Sequence, residues 1–352
     1  MSSSSLLASL GAALQSFSSP RFSFKASSSS AKIDPGLLAF EIELNARLEQ
    51  LKSVDEAGYL GINWLCQAME MVLSTHASAE VFATDLHQAL AHGDNKWLDE
   101  YLDHSIKLLD ICLTLKEAIA DIKSYCVHVK LALRALEKCT MGEIQFRRCV
   151  KALKKCMDAL KRRDEIVNHL GQRRSKLENC SSMLRRMGER LNTDDASKGN
   201  FFLAIYAVQV NTIFTCGLLS SALSFKPRRP LSSICVGGQS AWSFSLSSLQ
   251  QRVKEQIEKK KSKGVNVLLE ELNKTDMEVR NVLSIAEKIL EAKSFPLKKV
   301  KTLEVRDRAK VLQVSFVELQ NGLIPLESLL EEVYRNLLRS RMALLDMHSI
   351  AL

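Results

Sequence analysis

The residues that build sheets and turns are scarce in this chain. Its 352 residues include only 14 Gly and 6 Pro, and aromatic residues make up 6%. A β-sandwich or barrel needs a turn roughly every ten residues and many large β-formers, so that class is excluded. Nine cysteines occur, but no Cys-x-x-Cys and no framework spacing, which argues against a disulfide scaffold or a zinc ribbon. Cys112, Cys126, Cys139, Cys149, Cys156 and Cys180 fall inside helical patterns and read as small buried hydrophobes in a reducing compartment.

Catalytic signatures are missing as well. There is no Gly-x-Gly-x-x-Gly, no Gly-x-x-x-x-Gly-Lys-Ser/Thr and no Gly-x-Ser-x-Gly. None of the 7 histidines has a glutamate three residues before it, as a helical di-iron site requires. His87 and His92, with Asp85 and Asp94 nearby, come closest to a metal cluster. A separation of five on a helix turns the two rings about 140° apart, so they do not form a ligand pair. Paired acids such as Asp194-Asp195 and Glu331-Glu332 lack a partner that would tune a pKa. The expectation is no enzyme, no cofactor and no metal.

What the chain does have is a globular balance: 46% hydrophobic and 25% charged residues, enough to bury a core. Leu, Ala, Glu, Lys and Arg dominate, and the fold class predicted is all-α. The expected form is an elongated bundle of long antiparallel helices behind a disordered N-terminal segment. Residues 1–31 are rich in serine and free of acid, with Arg21 and Lys25 their only charges. That is the composition of an organelle transit peptide or of a plain tail. Residues 34–225 form the first part of the bundle, 226–240 a flexible basic and Ser-rich linker, and 241–352 further helices that pack back on the same bundle.

The stretch Asn63 to Ile122 organises the rest. Trp97, Tyr101, Ser105, Leu108, Cys112, Leu115, Ile119 and Ile122 recur in steps of four and three, which is one face of a helix. The same helix is expected to continue through Val127, Leu131 and Leu136. A helix before it is expected over about 62–91, with Trp64 and Ala68 inward and Asp94 capping the next. Trp64, Trp97 and Tyr101 are the predicted core anchors. Towards the end, Asn321-Gly322 reads as a helix stop and Pro325 as the start of a last helix, striped by Leu326, Leu330, Val333, Leu337 and Leu338.

Three stretches bear on partners. The net charge of +9 concentrates between Arg147 and Arg190, most densely at Arg147, Arg148, Lys151, Lys154, Lys155, Arg162 and Arg163. Such a face draws an acidic protein or an anionic membrane, or it is simply a solvated helix surface. Aromatics for base stacking are absent there, which argues against nucleic acid. Phe201 to Phe225 carries no charge and is followed by Lys226, Arg228 and Arg229. At about 20 residues per span it is long enough to cross a bilayer, yet Asn211, Thr212 and Thr215 suit a central bundle helix equally. Arg228-Arg229-Pro230-Leu231 precedes Ser232 and Ser233, the arrangement that basophilic kinases modify.

Several separated patches also resemble one family. Asn63-Trp64-Leu65-Cys66-Gln67-Ala68-Met69-Glu70, Thr75-His76, Thr84-Asp85-Leu86 and Asn95-Lys96-Trp97-Leu98-Asp99-Glu100-Tyr101-Leu102-Asp103 are similar to the plant BYPASS family. So are Phe40-Glu41, Leu44 to Leu48, Lys107 to Asp110 and Gly264 to Leu272. The resemblance covers roughly residues 34–352 and is nearer to the BYPASS branch than to the ROH-type relatives linked to the exocyst. It implies a plant-specific helical protein without known catalytic activity, tied to root and shoot development through restraint of a mobile root-derived growth-arrest signal. Its partners would be trafficking or signalling proteins. The compartment it implies is the chloroplast, or the cytoplasm and endomembranes.

Overall fold

The computed structural model describes residues 34–55, 58–85, 96–137, 142–162, 176–191, 199–225, 231–236, 240–293, 295–297 and 299–351. The Ser-rich segment 1–31, His87, His92, Asp94, Cys139, Arg163, Asp194-Asp195 and Arg228-Arg229 lie outside these residues, as do the side chains of Asp85 and Arg162. The described residues form nine α-helices and no strand beyond one isolated antiparallel bridge between Phe225 and Val267. The fold is all-α.

Helix α1 (Pro35–Ser53) begins at its proline, whose missing N–H costs nothing at a first helical position, and buries Phe40, Leu44, Leu48 and Leu51. Helix α2 (Ile62–Ala79) ends twelve residues short of the expected 91, because the chain tightens into a 3-10 segment, Glu80–Asp85. Helix α3 (Lys96–Leu136) buries the organising stripe from Trp97 to Ile122 as expected. Beyond Ile122 the buried positions are Tyr125, Cys126, Val129, Ala132, Leu133 and Leu136. Val127 and Leu131, expected inside, are 56% and 49% exposed: the 3.6-residue period carries the buried face to their neighbours.

Helices α4 (Glu143–Arg162), α5 (Lys176–Arg190), α6 (Asn200–Leu223), α7 (Ala241–Ser262) and α8 (Glu270–Glu291) follow. The last helix, α9 (Lys299–Ala351), is continuous over 53 residues with Pro325 inside it. The expected break at Asn321-Gly322 and Pro325 is therefore corrected. A Cβ on Gly322 would lie 2.8 Å from Ile62 Cδ1, so the glycine admits the start of α2 instead of ending a helix. Pro325 stands on the exposed side, as does Asn321, the residue four before it, whose carbonyl loses its helical donor and can turn to water. Leu338, expected in the buried stripe of α9, is also exposed.

Helix α3 packs chiefly on α4 and α9, α9 also on α8 and α2, and α8 on α4 as well. Helix α6 lies against α2, α5 and α3, while α1 lies on α7 and α2. Polar ties give the directions. Lys123 with Glu327, Lys116 with Glu331, and Arg341 with the Leu102 carbonyl and Ser105 hydroxyl make α3 and α9 antiparallel. Ser245 bonds Asn45 and Glu49 while Arg252 reaches the Lys52 carbonyl, so α1 and α7 run parallel. Pro35–Leu352 behaves as one compact unit, and the helices after 241 pack on those before 225.

The expected flexible linker is held down where it is described. Leu231 and Ile234 are buried. Ile234 donates its N–H to Gln250 Oε1 at 2.7 Å and accepts from Gln250 Nε2 at 3.3 Å. Its side chain rests on the bare backbone of Gly188, where a Cβ would come within 3.2 Å.

Candidate functional site: a basic helical face and a polar cleft

Helix α4 is amphipathic by spacing. Phe146, Cys149, Leu153, Cys156 and Leu160 recur at steps of three and four and are buried, which turns Arg147, Arg148, Lys151, Lys154 and Lys155 to solvent. Two of these cations are engaged. Arg147 pairs with Glu143 one turn earlier at 2.5 Å, and Lys154 reaches Glu287 of α8 at 2.8 Å. No ion pair among the described residues engages Arg148, Lys151 or Lys155. Their field is therefore directed outward, screened only by solvent and salt.

A second concentration of positive charge lines an open cleft of about 550 Å³ where α5 meets α3. Thr114 comes from α3; Lys176, Asn179, Ser182, Arg185 and Arg186 come from α5, with Cys180 and Met183 as its apolar part. Lys176 pairs with Glu117 at 2.6 Å, which raises its pKa, and Arg185 pairs with Glu189 at 3.2 Å. Arg186 has no such partner among the described residues. The Thr114 and Ser182 hydroxyls donate to the Asp110 and Glu178 carbonyls of their own helices, which leaves the Asn179 amide and the Arg186 guanidinium as the donors that can receive an anion.

The charge-free stretch is a core helix in this fold. Helix α6 is long and apolar enough to cross a membrane by length and composition, and 72% of its most apolar window is buried inside the bundle. Several of its polar groups find protein partners, although Thr215 Oγ1 and Asn211 Oδ1 find none among the described residues. Asn211 and Thr212 donate to the carbonyls of Ala207 and Val208 at 2.7 Å each. Since the Thr212 hydrogen is so used, its oxygen accepts from His76 Nε2, at 3.2 Å. Ser220 reaches the Leu177 carbonyl of α5 at 3.1 Å.

The three expected anchors are all buried. Trp64 donates through Nε1 to the Leu51 carbonyl at 3.0 Å and lies against Tyr59, ring centres 5.1 Å apart. Trp97 meets Phe201 and Phe202 edge-on at 5.7 and 5.3 Å. Burial pushes the Tyr101 phenol up to about 12. Of the two candidate phosphosites, Ser233 is exposed, whereas Ser232 is half-buried in a crevice shared with Ser181, Gly217 and Ser221.

No group of three or more His, Cys, Asp or Glu among the described residues is placed to hold a metal ion. Cys112, Cys126, Cys149, Cys156, Cys180 and Cys216 are buried and reduced, while Cys235 is exposed. Burial pushes the Cys126 and Cys149 thiols up to about 12, so they are poor nucleophiles. His76 is pushed down to about 4 by burial and stays neutral. What the described surface offers is positive charge, on α4 and in the cleft beside α5. Sequence reasoning missed the cleft as a unit, as it missed Glu271, whose carboxylate caps α2, and Gln250, which holds Ile234. The pattern 179, 182, 183, 186 on α5 was its only local signal.

The fold and this surface define an all-α protein with outward positive charge on two of its helices, α4 and α5. Comparison with known proteins places it further. The family described as "Protein BPS1" matches residues 82–347, and the chain belongs to that family. It is 27% identical over 232 residues to "Protein BPS1, chloroplastic" of Arabidopsis thaliana, covering 65% of this chain and 63% of that one. It is 26% identical over 263 residues to "UPF0496 protein 4" of Oryza sativa subsp. japonica, covering 73% and 55%. To "Protein ROH1D" of Arabidopsis thaliana it is 22% identical over 356 residues, covering 90% and 89%. The chain thus spans less than two thirds of the length of the first two relatives. No solved structure matches.

Proposed function

We propose that this chain is a non-enzymatic plant regulator of the BYPASS type, acting in root and shoot development by restraining a mobile root-derived growth-arrest signal. It works as an adaptor through contacts with an acidic face of a trafficking or signalling protein. The observation that carries this reading is the outward row Arg148, Lys151 and Lys155 on a helix whose other side is sealed in the core. Family membership supports the developmental role.

The test is capture of partners from plant extract by the full chain and by an Arg148→Glu/Lys151→Glu/Lys155→Glu variant. The expected result is a defined partner lost with the variant. No partner above background, or equal capture by both, overturns the adaptor reading.

The same cations support a second reading, attachment to an anionic membrane surface in the endomembrane or chloroplast system. Vesicles containing phosphatidylserine would then sediment the chain at low salt and lose it with the triple variant. Sedimentation that survives the variant and high salt would instead point to insertion of α6, which requires the bundle to open.

A further inference from the structure

Leu231 to Val236 lies as a strap against three helices. It belongs to no helix or strand, yet Leu231 and Ile234 are only 9% and 6% exposed. Leu231 Cδ1 stands 3.5 Å from where a Cβ on Gly217 of α6 would be, and Ile234 rests in the same way on Gly188 of α5. Gln250 of α7, itself buried, clasps the strap by bonding both the N–H and the carbonyl of Ile234. These fastenings are few, and the entropy of ordering a coil segment works against them. Lifting the strap is therefore far easier than opening the bundle.

Ser232 sits between the two fastened residues and is half-buried, while Ser233 beside it is exposed. The Ser232 side lines a crevice of about 20 Å³, room for about one water. Leu184, Ile213 and Phe214 supply its apolar wall, and Ser181 and Ser221 its hydroxyls. Ser181 is already bonded to Ser220 at 2.9 Å. A phosphate carries about −1.5 to −2 charges and three strongly hydrated acceptor oxygens. The crevice has neither the volume nor the polarity to hold one.

We propose that Ser232 is a phosphorylation site whose modification unfastens the strap. Arg229 stands three residues before Ser232 in the sequence, the place that basophilic kinases read, whereas Ser233 has arginines four and five residues before it. A kinase moves the γ-phosphoryl group of ATP to Ser232 Oγ. The bond from the γ-phosphorus to the bridging oxygen breaks, the bond to Oγ forms, the hydroxyl proton leaves and ADP departs. A kinase takes its serine in an extended segment, so the strap must lift before transfer. The phosphate then keeps it lifted, which uncovers the sides of α5 and α6 around Gly188, Phe214 and Gly217. This site does not depend on the α4 face or on what that face binds.

The test uses the full chain with ATP and a calmodulin-dependent protein kinase, which selects arginine three residues before serine. Mass spectrometry follows the rate at Ser232 and at Ser233, and hydrogen exchange follows the peptide that contains Ile234. Phosphate should appear at Ser232. It should arrive at least about tenfold faster in Gln250→Ala, which loses the clasp, and in Gly188→Ala, whose new Cβ would meet Ile234 at 3.2 Å. In the phosphorylated wild type the Ile234 amide should exchange at least about tenfold faster, with the amides of α3 unchanged. That comparison needs no variant, so it stands even where a substitution disturbs the fold. No phosphate at Ser232 in any of the three chains, or phosphate at Ser233 alone, overturns the site. Equal rates in the three chains, or an Ile234 amide as protected after modification as before, overturns the strap.

Discussion

Glu271 of α8 accepts the backbone N–H of Ile62 through both carboxylate oxygens, at 2.9 and 3.1 Å, across 209 residues of sequence. The residue at the head of α2, Gly61, makes no side-chain cap bond, so a carboxylate from the far half of the chain does this work. Negative charge at a helix N-terminus also meets the positive end of the helix dipole. Glu271→Ala should therefore cost about 1–2 kcal/mol, in the range of a lost N-cap. Glu271→Gln keeps one acceptor and should cost less. Urea unfolding of the three chains checks the order.

Gly322 should resist the substitution that helps most helices. In an exposed helix interior Gly→Ala gains about 1 kcal/mol. Here the added carbon would sit 2.8 Å from Cδ1 and 3.1 Å from Cγ2 of Ile62, itself fully buried. Gly322→Ala should lose about 1–2 kcal/mol net, from overpacking. Ile62→Val, which removes Cδ1, should make Gly322→Ala less harmful than it is in the wild type. A double-mutant cycle reads the coupling directly.

Trp64 and Trp97 should respond differently to Phe. Trp97→Ala should cost about 3–5 kcal/mol, because it empties a site walled by Phe201 and Phe202. Trp97 Nε1 has no hydrogen-bond partner among the described residues, so Trp97→Phe should lose volume but none of the described bonds. Trp64→Phe loses its bond to Leu51 and leaves that carbonyl bare, adding about 1 kcal/mol or more. Denaturation midpoints of the two Phe variants should fall in that order.

His76 makes the fold sensitive to acid. Its folded pKa lies near 4 against an ordinary 6.5, so the unfolded chain takes up the proton first. Stability from this group is complete above pH 6.5 and is lost as pH falls towards 4, by about 3 kcal/mol in all. His76→Gln, which keeps a donor for Thr212, should flatten that part of the profile. Unfolding free energies at pH 7 and pH 4.5 for both chains give the comparison, and equal slopes would show that the histidine is not the sensor.

Cys235 should be the fast thiol among the described cysteines. It is exposed, whereas Cys112, Cys126, Cys149, Cys156, Cys180 and Cys216 are buried. Mass spectrometry after brief alkylation should find it modified and those six intact until denaturant is added.

Much of the bundle was legible in one dimension. Trp64, Trp97, Tyr101 and the stripe to Ile122 could be placed inside because a buried helix face repeats every 3.6 residues, and that period is written locally. Past Ile122 the same reasoning drifted to Val127 and Leu131, since several apolar residues compete for the face and only the neighbouring helices choose among them. The cations of α4 were likewise visible as a face. Which of them stay uncommitted was not, because Lys154 is engaged by Glu287 from a helix more than a hundred residues later.

By itself the sequence determined the all-α class, the basic face and the family patches, all of which follow from residue type and short-range spacing. Only the tertiary structure decided that Gly322 and Pro325 lie within one helix, that the charge-free Phe201 to Phe225 stretch is wrapped by other helices, and that Glu271 caps α2. Each of those depends on which surfaces meet across long separations. Burial and hydrogen bonding between such surfaces outweigh local stop signals worth about 1–3 kcal/mol.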